Sequence, residues 1–430
     1  MRFKYPYRYR VLIFLFFLIF ITYLDRVCLS LVGVRIKSEF GITNEQFGWV
    51  LGAFALAYAL FEIPSGIMGD RIGQRTVFMR IVLWWSLFTA LTGFTTGLTT
   101  LIITRFLFGM GESGAFPNSS GTISRWFPAA ETARSTSWLL VGANAGAAFA
   151  PLIIIPIASA YGWRAPFFVN GLIGILWVLV CYFWFRNNPA EKKKVSGSEI
   201  VFIEVNRRIS QHRQIFPWKT ALRNRSFWGL LVSYFCSQWG LYFLIAWMPV
   251  YLQEGRHFSE NEMKMTTTCL FIVGIISSLG AGVLNDWLVK RKGLRFGRRY
   301  MGMLALIIGG LSILITAMTS SNAIVVAALM LTNCCIWANA ISMLSVGIDI
   351  GGNYAGTVVG IMNCFGQIGS FCLAVVFGKL VDVTHGFTVP LYLLAFVLGT
   401  GGLTWLAVDA EKQLSVSSPY SDAGSSLQNV

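Results

Sequence analysis

Gly66-Ile-Met-Gly-Asp70-Arg71-Ile-Gly73-Gln-Arg75 is the stretch from which the fold can be read, because its plan is repeated far downstream. At Gly282-Val-Leu-Asn-Asp286, followed by Lys290-Arg291-Lys292, the same order recurs: a glycine, an aspartate, then a basic cluster. Each copy closes the second of a run of long apolar segments. A repeat at equivalent points of two such runs predicts a chain built of two similar halves.

Working outward from these loops, the apolar segments recur from end to end. The chain has 430 residues, is 55% hydrophobic and 12% charged, and has a mean hydropathy of +0.63. A soluble chain carries about 25% charged residues. A bilayer span takes about 20 predominantly apolar residues in a helix, since each backbone N–H and C=O must be satisfied within the segment. Twelve spans are expected. Those of the first half are Val11–Val34, Gln46–Ile67, Val77–Phe94, Thr99–Ser124, Ala133–Ala160 and Ala165–Phe185. Those of the second are Phe227–Leu252, Lys264–Trp287, Tyr300–Thr319, Asn322–Ile348, Ala355–Val381 and Phe387–Val408. The fold class is therefore an all-α membrane protein of two pseudo-symmetric six-helix bundles, residues 1–185 and 226–410. The polar segment 186–225 joins them, and Ile200–Arg213 within it reads as an amphipathic surface helix. Residues 411–430 form a tail whose Ser-rich stretch from Ser415 reads as disordered.

The basic residues orient the chain. With the N-terminus inside, 26 of the 34 Lys and Arg fall on cytoplasmic segments, 10 of them in Arg186–Arg225, and 6 fall on outer loops. That asymmetry follows the positive-inside rule. It places both termini in the cytoplasm and the protein in the cell inner (plasma) membrane. It also accounts for the net charge of +15 through the anionic leaflet, without nucleic acid. The basic, apolar N-terminus resembles a signal peptide, but Asp25-Arg26 stands where a small-residue cleavage site belongs, so it reads as a retained first span. The eight cysteines lie in or at spans without CxxC spacing and read as packing residues; no metal site and no cofactor are expected. No HExxH, Walker-type or GxSxG site sits in a supporting context, so an enzyme is not expected. The expected unit is a monomer.

Ionisable residues inside a membrane are costly and mark functional sites. Asp25, Arg26, Arg105 and Glu112 stand inside spans. Arg105 and Glu112 are two helical turns apart on one face, whereas Asp25 and Arg26 point about 100° apart and need different partners. Burial favours a neutral carboxyl and a neighbouring arginine favours an ionised one, so a carboxylate between the two pulls can load and release a proton. A guanidinium fork suits a carboxylate ligand. The alternative is a fixed salt-bridge cluster that pins the first and fourth spans. Glu62 reads as structural, near the inner end of the second span. The three histidines fall in loops, which leaves carboxylates as proton carriers.

The loop Gly66, Asp70, Arg71, Gly73 and Arg75 resembles the signature G-x-x-x-D-R-x-G-x-R of the major facilitator superfamily, and implies a gating latch on the inner face. Three further motifs resemble the anion:cation symporter family within it: Tyr23-Leu24-Asp25-Arg26, Arg105-Phe-Leu-Phe-Gly-Met-Gly-Glu112 running into Pro117, and Arg125-Trp126-Phe127-Pro128. Trp247-Met-Pro249-Val-Tyr251-Leu resembles the end of that family's seventh span. The family includes bacterial galactonate, hexuronate and glucarate carriers, sialin and the vesicular glutamate transporters. The resemblance implies proton-coupled symport of a small organic anion such as a sugar acid. Arg26 and Arg105 would contact the substrate carboxylate, Asp25 and Glu112 would carry protons, and Tyr23, Tyr58 and Asn363 would line the polar wall. Ala143 and Tyr234 stand where glutamines are expected in a galactonate-type site, and Met343 where an aromatic is, with Asn144 beside Ala143. Exchange or export of organic anions or drugs by the same fold is the alternative function.

Overall fold

The computed structural model describes residues 6–206, 216–411 and 414. The last part of the Ile200–Arg213 helix and the tail from Ser415 lie outside the described residues.

In chain order the helices of the first half are α1 Arg8–Leu31, α2 Gly33–Phe40, α3 Asn44–Ile72, α4 Gln74–Thr92, α5 Leu98–Glu112, α6 Ala115–Trp126, α7 Ala129–Tyr161 and α8 Ala165–Trp184. Between the halves lie α9 Gly197–Asn206 and α10 Trp218–Arg223. The second half holds α11 Arg225–Tyr242, α12 Met248–Val250, α13 Glu260–Lys292, α14 Leu294–Met318, α15 Asn322–Gly351, α16 Ala355–Thr384 and α17 Thr388–Thr404. Among the described residues, ten helical segments are long and apolar enough to cross a bilayer. The remaining two expected crossings are α4, which begins with Arg75 and Arg80, and the pair α5–α6.

Two expected spans are interrupted, each by a proline. Pro117 has no N–H to give the Ser113 carbonyl and its ring crowds it, so the fourth crossing breaks between α5 and α6. Pro249 does the same to Ile245, and the seventh crossing widens into π turns at Phe243–Trp247 and Tyr251–Gly255 on either side of α12.

The two halves pack by one scheme. In the first, α1 lies on α7, α3 on α5, and α4 on both α5 and α8. In the second, α11 lies on α16, α13 on α15, and α14 on both α15 and α17. Taking crossings by order, these are the same pairs. The halves meet along two seams, α3 on α16 and α7 on α13, which are also equivalent. The run Gly142–Ala148 brings α7 close to α1, with Gly142 near the Phe16 carbonyl and Gly146 near that of Phe20. Outward-facing side chains such as Leu87, Phe183, Ile276 and Phe396 are apolar and at least half exposed, the surface that acyl chains cover.

The seams are closed at one end. Arg8, the α3–α4 turn and α9 mark one face, which carries most of the basic residues and is called the basic face below. At the opposite face Arg35 donates from Nε and Nη2 to both Glu260 oxygens at 2.8 and 2.7 Å, and from Nη1 to the Ala158 carbonyl. Lys37 reaches both Glu254 oxygens at 2.8 and 2.7 Å. Asp382 of α16 accepts from the first backbone N–H groups of α3, Asn44 at 3.2 Å and Glu45 at 2.7 Å, where a helix N-terminus favours a negative charge. Beside them Glu39 accepts from Trp163 and Arg164, and these bonds hold its carboxyl below the ordinary range. Gly48 follows, its Cα set so near the Ala374 carbonyl that a side chain would collide with it. Toward the basic face a side chain at Gly280, Gly282, Gly356 or Gly360 would meet nothing.

α9 does more than lie on a surface. Its Glu199 accepts from the backbone N–H groups of Tyr7 and Arg8 at 2.9 and 3.1 Å, which caps the start of α1, while Arg8 also pairs with Glu131.

Candidate functional site

The charged residues expected inside the spans converge at mid-depth between α1, α3 and α5. Arg26, on α1, donates from Nε to Glu112 of α5, whose side chain is fully buried. The guanidinium also sits in an aromatic cage, 4.9 Å from the Tyr23 ring, 5.1 Å from Phe54 and 4.7 Å from Tyr58. Such faces hold a desolvated cation well, by about 0.5–2 kcal/mol each. Tyr23 and Tyr58 thus touch Arg26 directly, and the one-turn rise from Phe54 to Tyr58 puts both rings, tilted to each other, on one face of α3.

Arg105 lies two turns before Glu112 on α5. It is 3% exposed and packs over the Phe108 ring at 4.1 Å. Among the described residues its Nε and Nη1 have no acceptor. Asp25 is equally buried, and among the described residues neither carboxylate oxygen completes a hydrogen bond, although the Asn170 amide of α8 faces it. The adjacent pair Asp25 and Arg26 does diverge to different surroundings. The quartet is therefore not a closed salt-bridge cluster: one pair is formed, and one guanidinium and one carboxylate remain without partners. Buried polar groups of native proteins are otherwise nearly always bonded.

Asn363 comes to this site from α16, across the seam. Its Nδ2 donates to Glu62 Oε1, and its Oδ1 accepts from the Tyr234 hydroxyl of α11 at 3.1 Å. Glu62 reads in the sequence as structural, near the inner end of the second span. α3 continues to Ile72, so Glu62 lies about three turns from the helix end, buried and facing the other half. Its spacing of four from Tyr58 was the available signal, since that places both on one face. Tyr242 was also missed; its hydroxyl donates to the Leu51 carbonyl of α3 at 2.7 Å.

Of the departures from a galactonate-type site, Ala143 and Met343 are fully buried and apolar, and Tyr234 supplies a hydroxyl to the wall. Asn144 faces Asn333 across Gly274, and the carbonyl oxygens of both side chains have no partner. Asn333 and Asn339 make interhelical bonds, to the Leu270 carbonyl and the Ser237 hydroxyl.

The signature loop lies apart, on the basic face. Gly73 has φ +87, and a side chain there would also strike the Asn187 amide at 2.6 Å. Asn187 accepts from the Arg75 backbone N–H at 2.8 Å, and the Arg75 guanidinium bonds the Tyr182 carbonyl at 2.5 Å, so the turn is tied to the end of α8. Gly66 lies against Pro117. Asp70 and Arg71 are exposed, and among the described residues neither side chain forms an ion pair or hydrogen bond.

A bundle of two equivalent six-helix halves, with a charged site at their junction and a seam closed at one end, is the build of a membrane transporter. The chain matches the model of the Major Facilitator Superfamily over residues 15–374 and belongs to that superfamily. It is a multi-pass membrane transporter and not an enzyme. It is 33% identical over 419 residues to a probable sulfoacetate transporter of Cupriavidus necator, covering 94% of each chain. It is 32% identical to a D-galactonate transporter of Escherichia coli O6:H1 over 303 residues, 67% of this chain and 69% of that one. A probable galactarate/D-glucarate transporter of Bacillus subtilis is 27% identical over 403 residues, with 88% and 87% covered. Among solved structures, a bacterial homologue of the human lysosomal transporter Spinster, in an inward-facing and occupied conformation, superposes with a TM-score of 0.75 at 17% identity, covering 96% of this chain and 99% of that one.

Proposed function

We propose that this protein is a proton-coupled symporter that takes up a small organic anion bearing a carboxylate. The observation that carries this is Arg105: a guanidinium buried at the junction of the halves, with two N–H donors that no group among the described residues accepts. A planar fork with free donors in a low-dielectric site is suited to an oxyanion and unsuited to a cation. Arg26, already paired with Glu112, holds the adjacent wall. Asp25 and Glu112 are the proton-carrying pair, since each has a carboxylate oxygen with no partner that could hold the proton. Tyr23, Tyr58 and Asn363 shape the remainder. The names of the relatives narrow the substrate to sugar acids and sulfoacetate-like carboxylates.

In this reading the basic face is cytoplasmic, the membrane is the cell inner membrane, and the structure is open inward. The unit is the single chain, residues 1–185 and 226–410 forming its two moving bodies. The loop Gly66, Asp70, Arg71, Gly73 and Arg75 engages when the basic face closes.

The test is uptake by proteoliposomes of labelled sulfoacetate, D-galactonate and D-glucarate, with the outside made acidic. Uptake of at least one is expected to rise with the inward proton gradient and to fall when the gradient is collapsed. Arg105→Lys is expected to weaken apparent affinity about tenfold or more, because an ammonium cannot present two parallel donors. An affinity unchanged by Arg105→Lys would refute the anion-clamp role.

A further inference from the structure

Two arginines flank the point where the connecting segment becomes the second half. Arg223 ends α10 and Arg225 begins α11. Both are exposed, and among the described residues neither side chain forms an ion pair or hydrogen bond. Other arginines of the basic face are engaged: Arg8 with Glu131 and Glu199, Arg75 with the Tyr182 carbonyl, and Arg299 with the Leu406 carbonyl. Asp409 is brought beside α11 by its N–H, which donates to Ser226 Oγ at 3.0 Å, but its carboxylate is paired with Arg295 at 3.7 Å.

Between these arginines and the bilayer runs a groove of about 490 Å³, formed by α10, α11 and α17. Arg225, Trp228, Gly229 and Val232 follow the spacing i, i+3, i+4, i+7, which puts them on one face of α11. The facing wall is Thr404 and Ala407, and Leu222 of α10 completes the lining. Gly229 makes the floor, since a Cβ there would come within 3.2 Å of the Ala407 methyl and the Thr404 carbonyl. Leu222, Trp228 and Val232 are each more than a third exposed, on the surface that lipid covers. The Trp228 indole N–H donates to the Leu222 carbonyl at 2.9 Å and so ties α10 to α11. Tryptophans concentrate at the headgroup level of a bilayer. The exposed Trp218 and Trp228 therefore place the groove at the membrane boundary, with the arginines at headgroup depth.

The chemistry of the groove selects its occupant. A soluble anion would leave the apolar floor bare, and a zwitterionic lipid would set its own cation against the arginines. An anionic phospholipid answers both features. Its phosphate accepts from the guanidinium forks, and an acyl chain lies along the apolar strip. The start of α11 adds the positive end of a helix to the same spot.

We propose that this groove binds an anionic phospholipid of the leaflet at the basic face, with the phosphate on Arg223 and Arg225 and one acyl chain along Gly229 and Val232. The bound lipid bridges α10 to α11 and α17, and holds the end of the connecting segment on the second half. The site is separate from the charged residues at mid-depth and does not depend on what the protein carries.

The experiment is native mass spectrometry of the full chain, delipidated in a neutral detergent and offered equal amounts of phosphatidylglycerol and phosphatidylcholine, with thermal unfolding measured in parallel. Wild type is expected to retain phosphatidylglycerol in preference and to unfold at a higher temperature with it. Arg223→Gln/Arg225→Gln is expected to cut that retention at least about tenfold, since each basic residue beside an anionic lipid contributes roughly fivefold. Arg223→Lys/Arg225→Lys is expected to restore most of it. Val232→Trp, which fills the groove and keeps both arginines, is expected to lose the preference as well. Lys193→Gln/Lys194→Gln removes the same charge from exposed positions of the same face, and is expected to bind as wild type does. Equal retention of the two lipids by wild type, unchanged retention in the arginine-to-glutamine variant, or an equal drop in the lysine variant overturns the site. Stabilisation by glycerol 3-phosphate as large as that by phosphatidylglycerol makes the occupant a soluble phosphate and overturns the lipid assignment. If the arginine-to-glutamine variant does not fold, wild type and Val232→Trp decide: a preference that survives the filled groove overturns the proposal.

Discussion

Arg26→Met is expected to abolish uptake and to lower the stability of the purified protein by about 3–5 kcal/mol, the scale on which breaking a buried ion pair by removing one partner is felt. Methionine fills much of the aromatic cage of Tyr23, Phe54 and Tyr58, so the cost is not one of volume. It comes from Glu112, whose side chain is fully buried and whose one bonded oxygen is held by Arg26. Without the guanidinium this carboxylate must take a proton or draw in water. The double variant Arg26→Met/Glu112→Gln removes the orphaned charge and is expected to recover most of the stability and none of the uptake. Thermal unfolding in detergent measures the first, and proteoliposome uptake the second. Additive losses in the double variant would show that the two residues do not act as a pair. Recovered uptake would show that neither takes part in transport.

What could be read in the sequence, and what could not, follows from how each feature is encoded. Asp25, Arg26, Arg105 and Glu112 were legible because a charge inside an apolar run is costly wherever it points. The two halves were legible because their repeat lies within the one-dimensional pattern. The break at Pro117 and the π turns around Pro249 were local consequences of a missing N–H, visible in principle and passed over because the apolar runs continue through them. The seam was not legible. Arg35 and Lys37 are two of the six basic residues on outer loops, and only the fold sets Arg35 against Glu260 or Lys37 against Glu254. Glu62 is a related case: it reads in the sequence as lying near the inner end of the second span, and only the fold sets it against Asn363 of α16.

Gly48→Leu is expected to reduce uptake at least about fivefold while leaving the fold intact. The near neighbours of a side chain at Gly48 are the Ala374 carbonyl and Val375 of α16, all in the other half. Packing within the first half is therefore untouched, and the penalty falls on one conformation, the one closed at the opposite face. Overpacking costs about 1–3 kcal/mol, and a difference of that size between two states moves their ratio roughly 5- to 150-fold. The ion pairs Arg35–Glu260 and Lys37–Glu254 cannot offset it, because partly exposed pairs are each worth about 1 kcal/mol or less. A cysteine at position 51, in a background freed of the eight native ones, reports the result. Leu51 is 4% exposed one turn below Gly48, and its carbonyl accepts from Tyr242 of the other half. That cysteine is expected to resist a membrane-impermeant maleimide when Gly48 is present and to react rapidly when leucine replaces it. A Gly48→Leu protein that transports at the normal rate with position 51 still protected would mean that α3 and α16 do not have to close here for transport. The two-seam account of alternating access would then have to be carried by α7 and α13 alone.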